Sequence, residues 1–281
     1  MATPLFFVAN KGSNDVSVID AVSLNMITSI NVGLKPTGIA YGNNSVVVTS
    51  GVLNSTNLTY NDTGVQVPYG IIYGSAGFAI VNNTKNSITI GGTIVPVGID
   101  PKYVTFGNGY YAVTNGDGTI SIINATSLTV VTILEKINHV DIITGICYDV
   151  LNNHFIVVGY PSSYPLFVYI SIIDAATLSY IHNIKVKTYI YNTTMGIAWG
   201  NGLFAVALDN KIMIYDASTY AQIGSSIYRP GILSLAYANG YFAVADAAAT
   251  ANCIYVINPS SQMIIKTISV GKTPSGITAS P

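Results

Sequence analysis

The stretch Gly38-Ile-Ala-Tyr-Gly-Asn-Asn-Ser-Val-Val-Val48 joins two short apolar segments through a tight turn. Asn and Gly in such a turn tolerate the positive φ that a two-residue β-hairpin requires. Related phrases are spaced 32 to 51 residues apart and begin near Gly70, Tyr103, Gly145, Gly196, Ser234 and Gly276. Seven copies of one hairpin predict a repeat architecture.

Two more strands follow most of these hairpins. The third strand ends in a turn that Asp or Asn introduces, and its side chain can accept a bond from the backbone two residues on. These turns begin at Asp20, Asn124, Asp174, Asp216 and Asn258. Four antiparallel strands repeated radially are typical of a propeller blade. The sequence predicts an all-β, seven-bladed β-propeller of four-stranded antiparallel blades, in a single domain over residues 1–281.

The two ends of the chain and the second repeat bear on how the blades are completed. The chain begins at the second strand of a repeat and ends in a first strand, Gly276-Ile-Thr-Ala-Ser280. We therefore expect the N- and C-terminal strands to pair and close the ring, which removes exposed strand edges. The second blade departs from the pattern, since a polar stretch lies between Ser50 and Val65 and the Asp-Ala turn is absent.

One phrase near the N-terminus resembles a known repeat family. The segments Phe7-Val-Ala-Asn-Lys-Gly-Ser-Asn-Asp-Val-Ser-Val-Ile-Asp20 and Pro36-Thr-Gly-Ile-Ala40 are similar to the YVTN β-propeller repeat. Its Tyr-Val-Thr-Asn phrase corresponds to Phe7-Val-Ala-Asn10 and to Ala112-Val-Thr-Asn115, and the resemblance covers nearly the whole chain. It implies a surface-layer-like propeller in an extracytoplasmic setting, with no common set of catalytic residues.

Composition excludes two classes of partner. Only 8% of the residues are charged, the net charge is −1, and no run of Lys or Arg is present. The chain therefore lacks the basic patch that nucleic acid or an anionic membrane would require. Mean hydropathy is +0.49, yet no apolar stretch approaches the roughly 18 residues of a membrane span. We expect no membrane span and no nucleic-acid partner.

Charged residues are distributed unevenly over the blade plan. The loops between second and third strands and the loops between blades, which we call the mouth loops, hold 14 of the 23 charged residues. Longer loops need solvating residues wherever they occur, so this asymmetry also has a purely structural explanation. The alternative is a binding face, for which the candidate residues are Lys35, Asp100, Lys102, Asp141, Tyr160, Tyr164, Arg229 and Lys272. The two tyrosines belong to a proline-braced loop that could instead pack on its own blade.

Catalytic and metal-binding patterns are weak. His139, His154 and His182 fall in a linker, a second strand and a fourth strand, so they are not expected to converge on one ion. Asp100, Asp141 and Asp246 could together bind a hard cation such as calcium. No Gly-x-Ser-x-Gly elbow, P-loop or Cys/His pairing is present. We predict no catalytic residue, metal or cofactor, and expect Cys147 and Cys253 to be buried free thiols.

The remaining signals concern habitat. Candidate glycosylation sites are Asn54, Asn57, Asn61, Asn82 and Asn192, three of them within eight residues of the second repeat. Neutral polar residues replace charged ones, which suits an acidic exterior where carboxylates lose their charge. The hypothesis is a non-enzymatic, extracellular structural or partner-binding protein of a virion or cell envelope, from a thermoacidophilic archaeon, with a protein or glycan partner. The alternatives are a metal-dependent lactonase-like hydrolase, a small-molecule-binding propeller and an intracellular scaffold.

Overall fold

A computed structural model describes residues 3–48, 51–54, 60–62, 70–137, 140–162, 167–187, 196–208, 210–248 and 251–281. For residues 51–54 and 60–62 it describes the backbone alone. Nearly all of the regular structure in these ranges is β-strand, and the strands form four-stranded antiparallel sheets. The chain divides into two compact units, one comprising Met1–Val67, Thr194–Asp216 and Ala221–Pro281, the other Pro68–Thr193 and Ala217–Tyr220.

The first unit contains four sheets, and neighbouring strands within each sheet are hydrogen-bonded in the following order. They are β28 (Pro274–Ala279), β1 (Leu5–Asn10), β2 (Asp15–Asp20) and β3 (Asn25–Asn31); β4 (Ile39–Gly42), β5 (Ser45–Val48), β6 (Gly51–Asn54) and β7 (Tyr60–Asp62); β20 (Ile197–Gly200), β21 (Leu203–Leu208), β22 (Lys211–Asp216) and β23 (Ile227–Tyr228); and β24 (Ile232–Ala238), β25 (Tyr241–Asp246), β26 (Cys253–Asn258) and β27 (Met263–Ser269).

The second unit contains three sheets and a short 3-10 helix, Asn83–Lys85. Its strands are β8 (Ile71–Gly74), β9 (Gly77–Asn82), β10 (Ser87–Ile90) and β11 (Thr93–Pro96); β12 (Tyr103–Gly107), β13 (Tyr110–Thr114), β14 (Ile120–Asn124) and β15 (Thr129–Leu134); and β16 (Ile142–Asp149), β17 (His154–Tyr160), β18 (Phe167–Asp174) and β19 (Ser179–Lys187). Each of these three sheets is one blade, and its four strands are consecutive in the sequence.

The predicted all-β propeller of four-stranded antiparallel blades is confirmed. Six blades, not the seven predicted, are described with the side chains of all four strands. The remaining sheet, β4 to β7, is described by backbone alone in β6 and β7, and it is the repeat whose sequence lacks the Asp-Ala turn. The expected pairing of the terminal strands is present, with Val8 opposite Ile277. Closure of a complete ring and a single domain over residues 1–281 stay predictions.

Glycine ends several of the first strands because an aromatic ring of the next blade lies against it. The Phe106 ring contacts Gly74, the Tyr148 ring contacts Gly107, and the Tyr237 ring contacts Gly200. A Cβ at any of these three glycines would lie closer than 3.0 Å to ring carbons, which is shorter than the 3.4–4 Å of an ordinary van der Waals contact. The repeated aromatic-glycine pair therefore sets how closely the first strands of adjacent blades approach.

The predicted Asp and Asn turns form at Asp20, Asn124, Asp174 and Asn258. The side-chain Oδ1 of Asp20 accepts bonds from the backbone N–H groups of Val22 and Ser23, at 2.7 and 2.9 Å. Matching pairs of bonds form at Asn124, Asp174 and Asn258. At the fifth place, the backbone N–H of Asp216 donates to the carbonyl of Ala221 at 3.0 Å. The side chains of these Asp and Asn residues therefore stabilise turns.

Hairpin asparagines link neighbouring blades at the same turns. The side-chain amides of three of them donate to a backbone carbonyl in the third turn of the next blade: Asn239 to Ala21, Asn108 to Ala175, and Asn152 to Ala217, at 2.9, 2.9 and 3.1 Å. Between the blades lie apolar clusters such as Phe6, Val8 and Ile254. The two cysteines are buried free thiols, as expected.

Candidate functional site

Three mouth loops between blades share one backbone design. In each, a Val-Gly-x-x-Pro segment places a positive φ on the residue before proline, and an asparagine side chain of a nearby turn accepts a bond from that residue's backbone N–H. The pairs are Lys35 with Asn14, Asp100 with Asn86 and Thr273 with Asn252, at 2.9, 2.9 and 3.0 Å. Two candidate binding residues, Lys35 and Asp100, therefore lie on loops that asparagine caps hold in place.

Three exposed lysines converge in the first unit, on the turn between β1 and β2. The backbone N–H of Lys11 donates to the Thr273 carbonyl at 3.0 Å, and that of Gly12 donates to the Lys272 carbonyl at 2.8 Å. Lys35 joins them through its bond to Asn14. We call Lys11, Lys35 and Lys272 the lysine cluster. Within the described ranges none of the three has a carboxylate at ion-pair distance.

Arg229, the single arginine of the chain, lies in the same unit just after β23. Its guanidinium carbon is 5.3 Å from the centroid of the Tyr255 ring, and its Nη1 donates to the Tyr228 carbonyl at 2.8 Å. The Tyr255 hydroxyl donates to Oδ2 of the buried Asp246 at 2.9 Å. Burial raises the pKa of Tyr255 well above its usual range, so the hydroxyl stays protonated and keeps donating.

The second unit holds the other candidate charges, and they pair with one another or with local groups. Lys102 Nζ lies 2.8 Å from Asp100 Oδ2. Oδ2 of Asp141 accepts bonds from the backbone N–H and the hydroxyl of Ser162, at 2.9 and 2.8 Å, and Lys136 Nζ lies 3.8 Å from Oδ1. The bonds from Ser162 lower the pKa of Asp141.

Every mouth-loop aspartate whose side chain the structure describes makes a local contact. The partners are the Asn10 amide for Asp15, Lys102 for Asp100, the Thr119 N–H and hydroxyl for Asp117, Ser162 for Asp141, and Tyr255 with the Ala248 N–H for Asp246. Among the described residues no group of three His, Cys, Asp or Glu is arranged to hold a metal ion. Asp100, Asp141 and Asp246 thus act as local hydrogen-bond or ion-pair acceptors.

The expectation that Tyr160 is an exposed interface anchor is wrong. Tyr160 is only 5% exposed, and it is the last residue of β17, where it pairs with Ile142 of β16. Tyr164 lies outside the described residues. The exposed aromatic next to a candidate charge is instead Tyr228, 66% exposed beside Arg229.

Two histidines lie in the predicted strands, and both contact Tyr220 of the same unit. His154 begins β17 and its Nδ1 is 2.9 Å from the Tyr220 hydroxyl, while the His182 ring in β19 stacks on the Tyr220 ring at 4.9 Å. His139 lies outside the described residues. Sequence reasoning missed this contact because Tyr220 belongs to the turn of another repeat.

Two buried asparagines of the YVTN-like phrases are structural elements that the loop assignment overlooked. Asn10 and Asn115 have no exposed surface. The Asn10 amide donates to Ser17 Oγ at 2.9 Å and the Asn115 amide to Ser121 Oγ at 3.0 Å. Each serine also accepts a bond from a mouth-loop glycine N–H. The shared position of the two asparagines in the repeat was the signal for this role.

Candidate glycosylation sites are only partly described. The Asn82 amide donates to Thr89 Oγ1 at 3.2 Å across β9 and β10. Asn54 and Asn61 are described by backbone alone, and Asn57 and Asn192 lie outside the described residues. Glycosylation at these sites stays a prediction.

Comparison with known proteins supports the fold and no more. No family model and no curated protein matches the chain. Among solved structures, apo AztD from Citrobacter koseri is 13% identical with a TM-score of 0.66, covering 100% of this chain and 98% of that one. The computationally designed Ika8 protein is 11% identical with a TM-score of 0.67, covering 96% and 86%. A chain of the nidogen/laminin complex is 9% identical with a TM-score of 0.62, covering 99% and 98%.

These identities establish similarity of fold alone. As for membranes, the described residues include no helix with the length and apolar character of a transmembrane segment.

Proposed function

We propose that the chain is a non-enzymatic, surface-exposed β-propeller that binds a protein or glycan partner on a virion or cell envelope. The proposal includes membership of the YVTN-repeat family, a ring of seven blades completed by the sheet β4 to β7, and an archaeal, thermoacidophilic source. The buried asparagines at equivalent positions, Asn10 and Asn115, support the repeat assignment.

One observation carries the binding role: mouth-loop aspartates accept local bonds, while several mouth-loop cations have no carboxylate partner among the described residues. Asp15 and Asp246 of the first unit have local donors, whereas the lysine cluster and Arg229 are exposed and lack a described carboxylate partner. Exposed cations on fixed loops suit recognition of a partner more than the acid/base or calcium chemistry of the lactonase-like alternative.

The low content of ion pairs supports the proposed acidic exterior. Among the described residues only Asp100 with Lys102 and Asp141 with Lys136 lie within 4.0 Å. Many of the other polar contacts join amides and hydroxyls, which do not titrate in the acidic range, and aspartates accept bonds mainly within local turns. One structural neighbour belongs to a nidogen/laminin complex, which is compatible with a protein partner.

Localisation tests the proposal directly. Native protein should be found on the outside of virions or in the envelope fraction, by immunogold labelling of intact particles and by fractionation. An intact mass of that protein reports glycosylation at the same time. Native protein confined to the cytosol would contradict a surface role and favour the intracellular scaffold.

A charge-matched pair of variants tests the binding face. Replacing the lysine cluster by K11Q, K35Q and K272Q should abolish association with isolated particles or envelopes. The control, K185Q, K187Q and K266Q, removes the same charge from exposed fourth-strand positions and should leave association intact. Equal loss in both triple variants would show that net charge, not the mouth loops, governs association.

A further inference from the structure

The guanidinium of Arg229 is held in place by the protein's own groups. Its backbone N–H donates to the Asn210 carbonyl at 2.7 Å, and Nη1 donates to the Tyr228 carbonyl at 2.8 Å. The guanidinium also lies over the Tyr255 ring, with 5.3 Å from Cζ to the ring centroid. Such an arginine loses little freedom when it binds an anion, because its geometry is already set.

The support behind Arg229 is itself fixed. The Tyr255 hydroxyl donates to Asp246 Oδ2 at 2.9 Å, and Asp246 Oδ1 accepts the Ala248 N–H at 2.8 Å. Asp246 is only 2% exposed. It does not pair with the guanidinium, since no ion pair joins the two residues. Tyr255 thus anchors the arginine, and among the described residues no carboxylate lies at ion-pair distance from its guanidinium.

The exposed side of Arg229 resembles the centre of a protein interface. Tyr228, the preceding residue, is 66% exposed, and adjacent exposed Tyr and Arg are the residue types that most often dominate binding between proteins. A planar guanidinium favours a carboxylate, which it can bind through two parallel hydrogen bonds. The net charge of −1 gives the chain little general attraction for anions.

We propose that Arg229 and Tyr228 form the anchor point for an acidic side chain or C-terminal carboxylate of a protein partner. This inference rests on the proposed binding function and names the chemistry of the partner at one mouth-loop position. The carboxylate would lie against the outer edge of the guanidinium and the partner's neighbouring apolar atoms against the Tyr228 ring.

The test uses the full chain and three labelled probes: a short polyglutamate peptide and a matched polyglutamine peptide, both amidated at the C-terminus, and an oligomer of glucuronic acid. Fluorescence anisotropy at low salt should show binding of polyglutamate and none of polyglutamine. Arg229→Gln should weaken polyglutamate binding at least about tenfold, and Arg229→Lys should weaken it about three- to tenfold because the planar fork is lost. Lys266→Gln, the charge-matched control on β27, should change it less than about twofold.

Tyr228→Ala keeps the test decisive if Arg229→Gln folds poorly, because this exposed ring can be removed without opening the core. It should weaken binding about three- to tenfold with an unchanged melting temperature. No binding of polyglutamate, or equal binding by the native chain and both variants, would overturn the inference. Arg229-dependent binding of the glucuronic acid oligomer alone would overturn the protein partner in favour of an acidic glycan. In each case, surface localisation of the native protein would still support the proposed function.

Discussion

Replacing Gly107 by alanine tests whether the aromatic-glycine pairs set the spacing of adjacent blades. A Cβ at Gly107 would lie closer than 3.0 Å to three carbons of the Tyr148 ring. The ring cannot move freely, because its hydroxyl donates to Asn153 Oδ1 at 2.7 Å and its centroid lies 5.4 Å from that of Phe155. Overpacking of this kind costs about 1–3 kcal/mol, and the anchored ring places Gly107→Ala near about 3 kcal/mol.

The matched control is Gly109→Ala, two residues away in the same hairpin. Gly109 has a φ of 76° and no atom within 4 Å of the added Cβ. The substitution therefore introduces backbone strain of about 1 kcal/mol without a steric contact. For a domain of this size, about 2–4 °C of melting temperature corresponds to 1 kcal/mol. We expect losses of about 6–12 °C for Gly107→Ala and about 2–4 °C for Gly109→Ala, measured by circular dichroism and by guanidinium unfolding.

A double-mutant cycle with Tyr148→Ala isolates the contact. Once the ring is absent, Gly107→Ala should become neutral or stabilising by about 0.4–1 kcal/mol, because Gly107 does not have a positive φ and alanine restricts the unfolded chain. An equal loss from Gly107→Ala with and without the Tyr148 ring would refute the argument. So would a loss no larger than that of Gly109→Ala.

Three further predictions concern the terminal strands, acid and one tyrosine. Deleting residues 276–281 removes most of β28, so the shortened chain should aggregate or melt far lower in size-exclusion and melting experiments; a native-like melt would contradict a structural role for the β1–β28 pairing. Local hydrogen bonds hold the pKa of Asp141 and Asp174 below the usual value. Their small contribution to stability is therefore present above the ordinary carboxyl pKa and is lost as pH falls through the lowered pKa of the folded state. The melting temperature should therefore fall only slightly between about pH 7 and about pH 3, and a steep drop would contradict the proposed acidic habitat. Tyr220→Phe removes the bond to His154 and should cost about 1 kcal/mol in thermal unfolding at neutral pH; no change would show that the bond contributes nothing.

The blade plan could be predicted because its causes are local. Hairpin asparagines and glycines adopt positive φ within the turn itself, as at Asn108 and Gly109, and the Asx turn at Asp20 joins atoms two and three residues apart. Such contacts join residues that are close together in the sequence, so they can be predicted from a short segment. In the second repeat the Asp-Ala turn is absent, so no comparable local signal defines its outer strands.

Side-chain burial could not be predicted in the same way, because it depends on residues far away in the sequence. Tyr160 follows the pattern of an exposed loop aromatic, yet its strand lies between two others and the side chain is 5% exposed. Tyr220 contacts histidines 66 and 38 positions earlier in the chain. Neither outcome follows from the spacing within one repeat.

The meaning of the mouth-loop charges changes once their partners are known. By sequence, the mouth loops carry seven positive and seven negative residues, which predicts a field of mixed sign. In the structure, aspartates such as Asp117 and Asp141 accept bonds from the backbone and hydroxyl groups of their own loops, while Arg229 and the lysine cluster have no described carboxylate partner. Asp side chains are short and therefore bond to the backbone of their own turn. Lys and Arg side chains are long enough to extend beyond the loop that carries them. In a loop surface with balanced composition, the cations can thus extend toward a partner while the carboxylates bond within their own loops.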